Sequence, residues 1–313
     1  MRWSISLLFL LALGPPALAD PLEISSRRLF LNPEEPTQQR VGELLFKGGL
    51  ALSSDDDRFG GFSGLVLSNG NLVAVSDKGY WLTARLVEEK GRLAGLSEAR
   101  ISAMLDRDDR ALGGKKMSDA EAVERRGDGF VVSFERRHRI WLYPGATPHK
   151  SVPQTLPPPP GLGRAPRNGG IEALTPLPDG GLLALTEGLA AAGGLRGWHY
   201  DGQNWLALIY QTTGQFKPTD LAALPGGGFM VLERRYTTLG GPAARLQIIA
   251  GITPAAPLVG REIATMALPL TVDNMEGLAV VPTAAGLAVY LLSDDNFHPL
   301  QRTLLMKFEL ARN

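Results

Sequence analysis

The sequence predicts an all-β fold, a β-propeller with five blades by repeat count, and three observations carry that prediction. First, one short unit recurs five times: an acidic or small residue, an apolar strand, a Gly-containing turn, a second apolar strand and a second acidic residue. Its clearest copy runs Asn274-Met275-Glu276-Gly277-Leu278-Ala279-Val280-Val281 and then Leu287-Ala288-Val289-Tyr290-Leu291-Leu292-Ser293-Asp294. Second, the openings of the unit are evenly spread along the chain, at Ser63, Glu121, Glu172, Asp220 and Glu276. Third, the closing acidic positions Asp77, Glu135, Glu187, Glu233 and Asp294 follow their openings at a short, nearly constant offset, longest in the last copy. A recurrence of roughly 50 residues, with two or more short strands per unit, belongs to radial arrays, because one small sheet cannot bury both faces alone.

The elements follow in chain order. Arg2, the apolar run Ile5 to Leu13 and Ala17-Leu18-Ala19 before Asp20 read as a secretory signal peptide over residues 1–19. The expected location is periplasmic or secreted, and residues 20–313 form a single domain. Leu22-Glu23-Ile24 and Leu29-Phe30-Leu31 are strand-like, and a six-bladed ring stays open if the segment up to Arg40 adds a blade. Residues 43–52 suit the fourth strand of the last blade, beside a third strand from Leu304-Leu305-Met306-Lys307-Phe308-Glu309-Leu310, so that the N-terminal segment closes the ring. Leu96 to Leu105 reads as a short helix in the longest insertion. Residues 152–169, with four consecutive prolines at 157–160, read as an ordered surface loop.

Composition excludes several function classes. There is no Cys, so neither a disulfide framework nor a thiolate metal site or nucleophile is available. Thirty-two basic and 32 acidic side chains give a formal net charge of zero. Nothing in that balance attracts nucleic acid or a membrane surface, and no later apolar run is long enough to span a bilayer. The four His, at 138, 149, 199 and 298, have no i, i+4 pair of the kind a His-rich zinc site uses. Ser63 lacks the glycine two residues further on that a nucleophile elbow needs, Leu65 standing there, and neither a P-loop nor a dinucleotide fingerprint is present.

Phe59-Gly60-Gly61-Phe62-Ser63-Gly64-Leu65, Ser76-Asp77-Lys78-Gly79 and Asn274-Met275-Glu276-Gly277-Leu278 resemble the family described as esterase-like activity of phytase, exported bacterial proteins with a phytase-like domain. The resemblance covers roughly residues 40–311. It implies a propeller, metal-dependent hydrolysis of phosphoesters or related esters, and an extracytoplasmic location. The family lends no agreed catalytic set.

The residues point to a metal independently. The first strand of each blade lines a propeller's channel, so Glu121, Glu172, Asp220 and Glu276, with Asp294, are the candidate metal ligands. Converging carboxylates raise one another's pKa unless neutralised. A divalent cation resolves this, and Ca²⁺, which takes six to eight oxygens, suits the donors; pairing with Arg is the alternative. The recurring Glu135-Arg136 and Glu233-Arg234, the shorter Asp77-Lys78, and His298 are the candidate catalytic residues, Arg and Lys receiving substrate phosphate. Ion pairing that holds the rim loops is the competing account of those pairs. Two functions follow: a hydrolase of small phosphoesters or esters, acting as a monomer, or a non-catalytic propeller that binds a ligand or protein around a structural cation.

Overall fold

The computed structural model describes residues 19–253 and 255–311; the expected signal peptide at 1–19 lies outside this range except for Ala19. Five sheets succeed one another along the chain. Their inner strands are Phe62–Ser68, Ala120–Arg126, Ile171–Pro176, Lys217–Ala223 and Asn274–Thr283. Each packs on the next, and the fifth packs back on the first, which closes a ring of five blades. Among the described residues the helical content is one turn, Lys115–Ser118, and two short 3-10 turns. No helix among them is long and apolar enough to cross a membrane.

Period-two alternation builds the ring. Successive side chains of a strand face opposite sides of its sheet, so a strand flanked by two other blades must be apolar on both faces. In blade two, Val131 packs toward blade three with Ile140 and Leu174, while its neighbour Val132 packs toward blade one with Trp81 and Val75. In blade three, Leu182 and Ala184 face blade two, and Leu183 and Leu185 face blade four. Each of the five interfaces between neighbouring blades holds its own buried cluster. At the first, Trp81 meets Tyr143 edge-on, with ring centroids 5.1 Å apart.

Closure follows the expected route. Leu44–Ser53 pairs antiparallel with Thr303–Ala311, from Leu52 opposite Thr303 to Leu44 opposite Leu310. The first described residues add no sixth blade. Ser25–Leu29 extends the last sheet beside Leu44–Ser53, and Asp20–Pro21 edges blade one.

Two local expectations are corrected. The segment expected as a helix at Leu96 to Leu105 is the strand Arg92–Ala103, paired with Tyr80–Glu89. Lys90 and Gly91, both at positive φ (51° and 75°), make the tight turn that favours a hairpin, and cross-strand pairing outweighs local helix propensity. The Pro-rich stretch contributes a strand, Gln154–Leu156, as the outer edge of blade two.

Near the axis the inner strands come very close. A Cβ on Gly64 would lie 2.6 Å from the backbone N of Val123 in blade two. Because that obstacle is backbone, Gly64→Ala is expected to destabilise by ~1–3 kcal/mol, the usual range for overpacking. A urea denaturation midpoint equal to that of the parent protein would show that the strands have room to part.

Candidate functional site

Every inner strand carries a β-bulge at the same place. The register against the second strand shifts between Phe62 and Gly64, Ala120 and Ala122, Ile171 and Ala173, Pro218 and Asp220, and Met275 and Gly277. The bulged residues are therefore Ser63, Glu121, Glu172, Thr219 and Glu276. A bulge re-aims a side chain that regular pairing would send elsewhere. In three of five blades that side chain is a glutamate.

One rung beyond the bulge the pairing resumes identically in each blade. Asp77 N–H donates to the Gly61 carbonyl, Glu135 to Asp119 and Glu187 to Gly170, at 2.8, 2.8 and 3.1 Å. Lys217 pairs with Arg234, and Asn274 with Asp294. The rung is thus acidic in blades one, two, three and five and doubly cationic in blade four.

This register corrects two of the expected residues. In blade four the bulge falls on Thr219, so Asp220 occupies the position held elsewhere by Gly64, Ala122, Ala173 and Gly277, one step away from the ring. Its carboxylate accepts the N–H groups of Leu221 and of Leu278 in blade five, at 2.8 and 2.7 Å. Burial raises its pKa well above the ordinary value, aided by Glu124 of blade two across the channel. Burial likewise pushes Glu124 up to about 8. Asp220 is thus a channel residue apart from the other proposed ligands.

Glu233 is the second correction. Its carboxylate is fully buried and accepts from Arg245 Nε and Gln247 Nε2, both at 2.6 Å, from Tyr210 Oη at 2.9 Å and from Thr212 Oγ1 at 2.7 Å. Tyr210 and Thr212 follow from blade three, so Glu233 ties two blades together and has no free lone pair for substrate. The next residue, Arg234, points the other way into the ring, donating to Asn274 Oδ1 at 2.9 Å and meeting Glu276 and Glu187 at 3.4 Å.

The other expected residues divide. Asp77, Glu121, Glu135, Glu172, Glu276 and Asp294 are brought together on the ring, joined by Glu187 and by Asp119, which the repeat pattern had not singled out. All eight carboxylates are less than a tenth exposed. Lys78 leaves the ring: it is exposed, with its ammonium 3.2 Å from the centroid of the Phe297 ring. Arg136, held at positive φ, turns back to pair with Asp119. His298 is exposed on the rim, and its Nδ1 accepts the Leu300 N–H at 3.3 Å.

Four cations touch these eight carboxylates. Lys115 pairs with Asp77 and Asp119, Arg136 with Asp119, Lys217 with Glu187, and Arg234 with Glu187 and Glu276. Glu121, Glu135, Glu172 and Asp294 are left without an ion pair among the described residues. Burial raises the pKa of Glu121 well above normal, reinforced by Glu276, Glu135, Asp119 and Asp77. Glu172 and Asp294 are raised for the same two reasons, burial first and neighbouring carboxylates second. Asp77 is also raised, because burial outweighs its contact with Lys115.

Two observations test whether a cation fits this surplus. Oxygens of Asp119, Glu121 and Glu135 all lie within 4.8 Å of one another, and all three residues are buried. Among the described residues Asp77 Oδ1 is buried without a hydrogen-bond partner, in space that any side chain at Gly61 would fill. The donors are all hard oxygens, which suit calcium or magnesium.

Residues 57–297 match the model of the family described as "Phytase-like: Esterase-like activity of phytase". The chain belongs to that family. No curated protein matches the sequence. Among solved structures, this phytase-like propeller is similar to an α-L-arabinofuranosidase of Podospora anserina in complex with cellotriose, at 10% identity and TM-score 0.53, covering 83% of this chain and 94% of that one. It is also similar to the catalytic domain of an α-L-arabinofuranosidase of Coprinopsis cinerea, at 12% identity and TM-score 0.51, covering 93% and 98%. At such identities the likeness shows the fold alone.

Proposed function

We propose that this phytase-like protein is a divalent-cation-dependent hydrolase of phosphoesters or related esters. One observation carries the reading: a single rung of the propeller is acidic in four blades and doubly cationic, through Lys217 and Arg234, in the fifth. Asp119, Glu121 and Glu135 would hold the cation, with Asp77 beside them, and calcium is the ion proposed. When bound, such an ion polarises the ester oxygen and lowers the pKa of water. Lys217 and Arg234 supply a point charge and a planar fork for the anionic oxygens of the substrate. Arg234 is held in its charged state: burial opposes the charge, but Glu276 and Glu187 more than offset it. Asp77 Oδ1, which has no hydrogen-bond partner among the described residues, is the base we assign to the attacking water. In the balanced step the water oxygen bonds to phosphorus, the bond from phosphorus to the alcohol oxygen breaks, the water proton passes to Asp77 and the alkoxide leaves with a proton from solvent.

The burial of Asp119, Glu121 and Glu135 favours a second reading, a structural cation inside a binding propeller. Turnover separates the two. With calcium present, Arg234→Ala and Lys217→Ala are each expected to slow hydrolysis of a phosphomonoester about 10²-fold, the scale for removing one transition-state donor. A neutral ester should lose far less, and the thermal response to calcium should persist. Metal-dependent stability without hydrolysis across a panel of phosphoesters and esters would assign the structural role instead.

A further inference from the structure

A cavity of about 630 Å³ lies beside the ring, among residues of blades four and five and the loop after Asp294. This is within the ~300–1,000 Å³ of small-molecule sites. Arg234 and Asn274 line it, and both also touch Glu276, so the cavity and the carboxylate ring share a wall. Its polar lining is cationic in balance. Arg235 and Arg302 join Arg234, and Asp273, paired with Arg302 at 3.2 Å, is the one carboxylate among the lining residues.

Above this lining stands an apolar collar. Tyr236, Leu268 and Leu300 line the cavity although they are 74, 64 and 84% exposed. Single exposed apolar side chains are ordinary, but three on one cavity form a patch, and such patches mark ligand grooves. Charge sets the other limit. Glu276 and Glu187 meet Arg234 at the shared wall, so a substrate carrying several phosphates would bring its extra charges against them, while a single phosphoryl group finds the arginines.

We propose that this cavity is the substrate subsite of the ring and selects an amphipathic monophosphate ester, aryl or medium-chain alkyl. Its phosphoryl group lies at Arg234, and its apolar group among Tyr236, Leu268 and Leu300. The proposal rests on the hydrolytic reading of the ring and narrows its substrate class.

The test uses the calcium-loaded protein and two probes that cannot be hydrolysed, 1-naphthylphosphonate and methylphosphonate, titrated by calorimetry with methylphosphonate in competition. The naphthyl probe is expected to bind at least 10-fold tighter. Leu268→Ser and Leu300→Ser alter exposed side chains without adding charge and so leave the fold intact. Each should weaken naphthylphosphonate at least 10-fold and leave methylphosphonate unchanged. Equal binding of the two probes overturns the proposal. So does indifference to both substitutions. Binding needs no turnover, so the two readings fail separately. Tight, collar-dependent binding without hydrolysis of any ester keeps the subsite and removes the hydrolase. Hydrolysis with no preference for aryl over methyl esters does the reverse.

Discussion

Replacing Glu233 by alanine is expected to lower the unfolding free energy by about 3–5 kcal/mol, the cost of leaving a buried charge without its partner. Arg245 is 7% exposed and its Nε donates to Glu233 at 2.6 Å, so the substitution strands a guanidinium inside the protein. It also leaves Gln247 Nε2 and the Tyr210 hydroxyl without their acceptor, while the Thr212 hydroxyl keeps the Phe216 carbonyl at 2.7 Å. Burial with Glu233 alongside already holds the Tyr210 hydroxyl above its ordinary pKa, so that hydroxyl stays a donor throughout the accessible pH range. Glu233→Gln keeps the volume but offers one acceptor oxygen for the four donors, and should fall between alanine and the parent. Denaturant unfolding of the three proteins gives the ranking directly. If Glu233→Ala unfolds with the parent midpoint yet loses turnover, Glu233 is a catalytic residue and the structural assignment is wrong.

Chelation of divalent cations is expected to lower the melting temperature by several degrees, and by more at pH 8 than at pH 5. An ion present at ~100 times its dissociation constant stabilises by ~2.7 kcal/mol. At ~2–4 °C per kcal/mol for larger domains, this is ~5–10 °C. The pH dependence follows from the raised pKa values of Glu121, Glu172 and Asp294. Unfolded, these groups release their protons near the ordinary carboxylate range, about 4. Folded and without metal, they keep them to higher pH. Over that window the folded state binds more protons, so the stability of the metal-free protein is full below the ordinary pKa and is lost as pH rises through the raised values. A cation displaces those protons and neutralises the carboxylates, so its gain grows with pH. Glu121→Gln removes one charge at nearly constant volume and should flatten both the pH slope and the calcium response. A melt at pH 8 that chelator leaves unmoved would take the ion out of the account. The surplus charge would then be carried by protons alone.

The ring is legible in the sequence without any coordinates. Alternating apolar residues such as Val131-Val132 and Leu182-Leu183-Ala184-Leu185 require a neighbour on each face of the strand. Five copies then close on themselves, with residues 44–53 completing the last sheet. The same pattern placed Asp77, Glu121, Glu135, Glu172, Glu276 and Asp294 near one another, because equal positions in equal repeats fall on one tier. Asp119 was legible as well, standing two positions before a bulged glutamate as Asn274 stands before Glu276, although that offset was not followed.

The register of blade four, by contrast, emerges only from the pairing of strands in space. Aligning acidic letters matched Asp220 to Glu121 and Glu233 to Glu135, although Asp220 and Glu233 stand closer together in sequence than the matching pair of any other repeat. The bulge falls on Thr219, and the residue that shares a rung with Lys217 is Arg234. From Thr219 to Arg234 the offset is the same as from Glu172 to Glu187 in blade three. Because side chains alternate along a strand, that single-step difference sends Glu233 into the inter-blade core and Arg234 into the ring. A bulge inserts its extra residue without any compositional mark. Which of two neighbouring residues it takes is settled by the hydrogen bonds of the neighbouring strand, and with it the charge that blade four brings to the site.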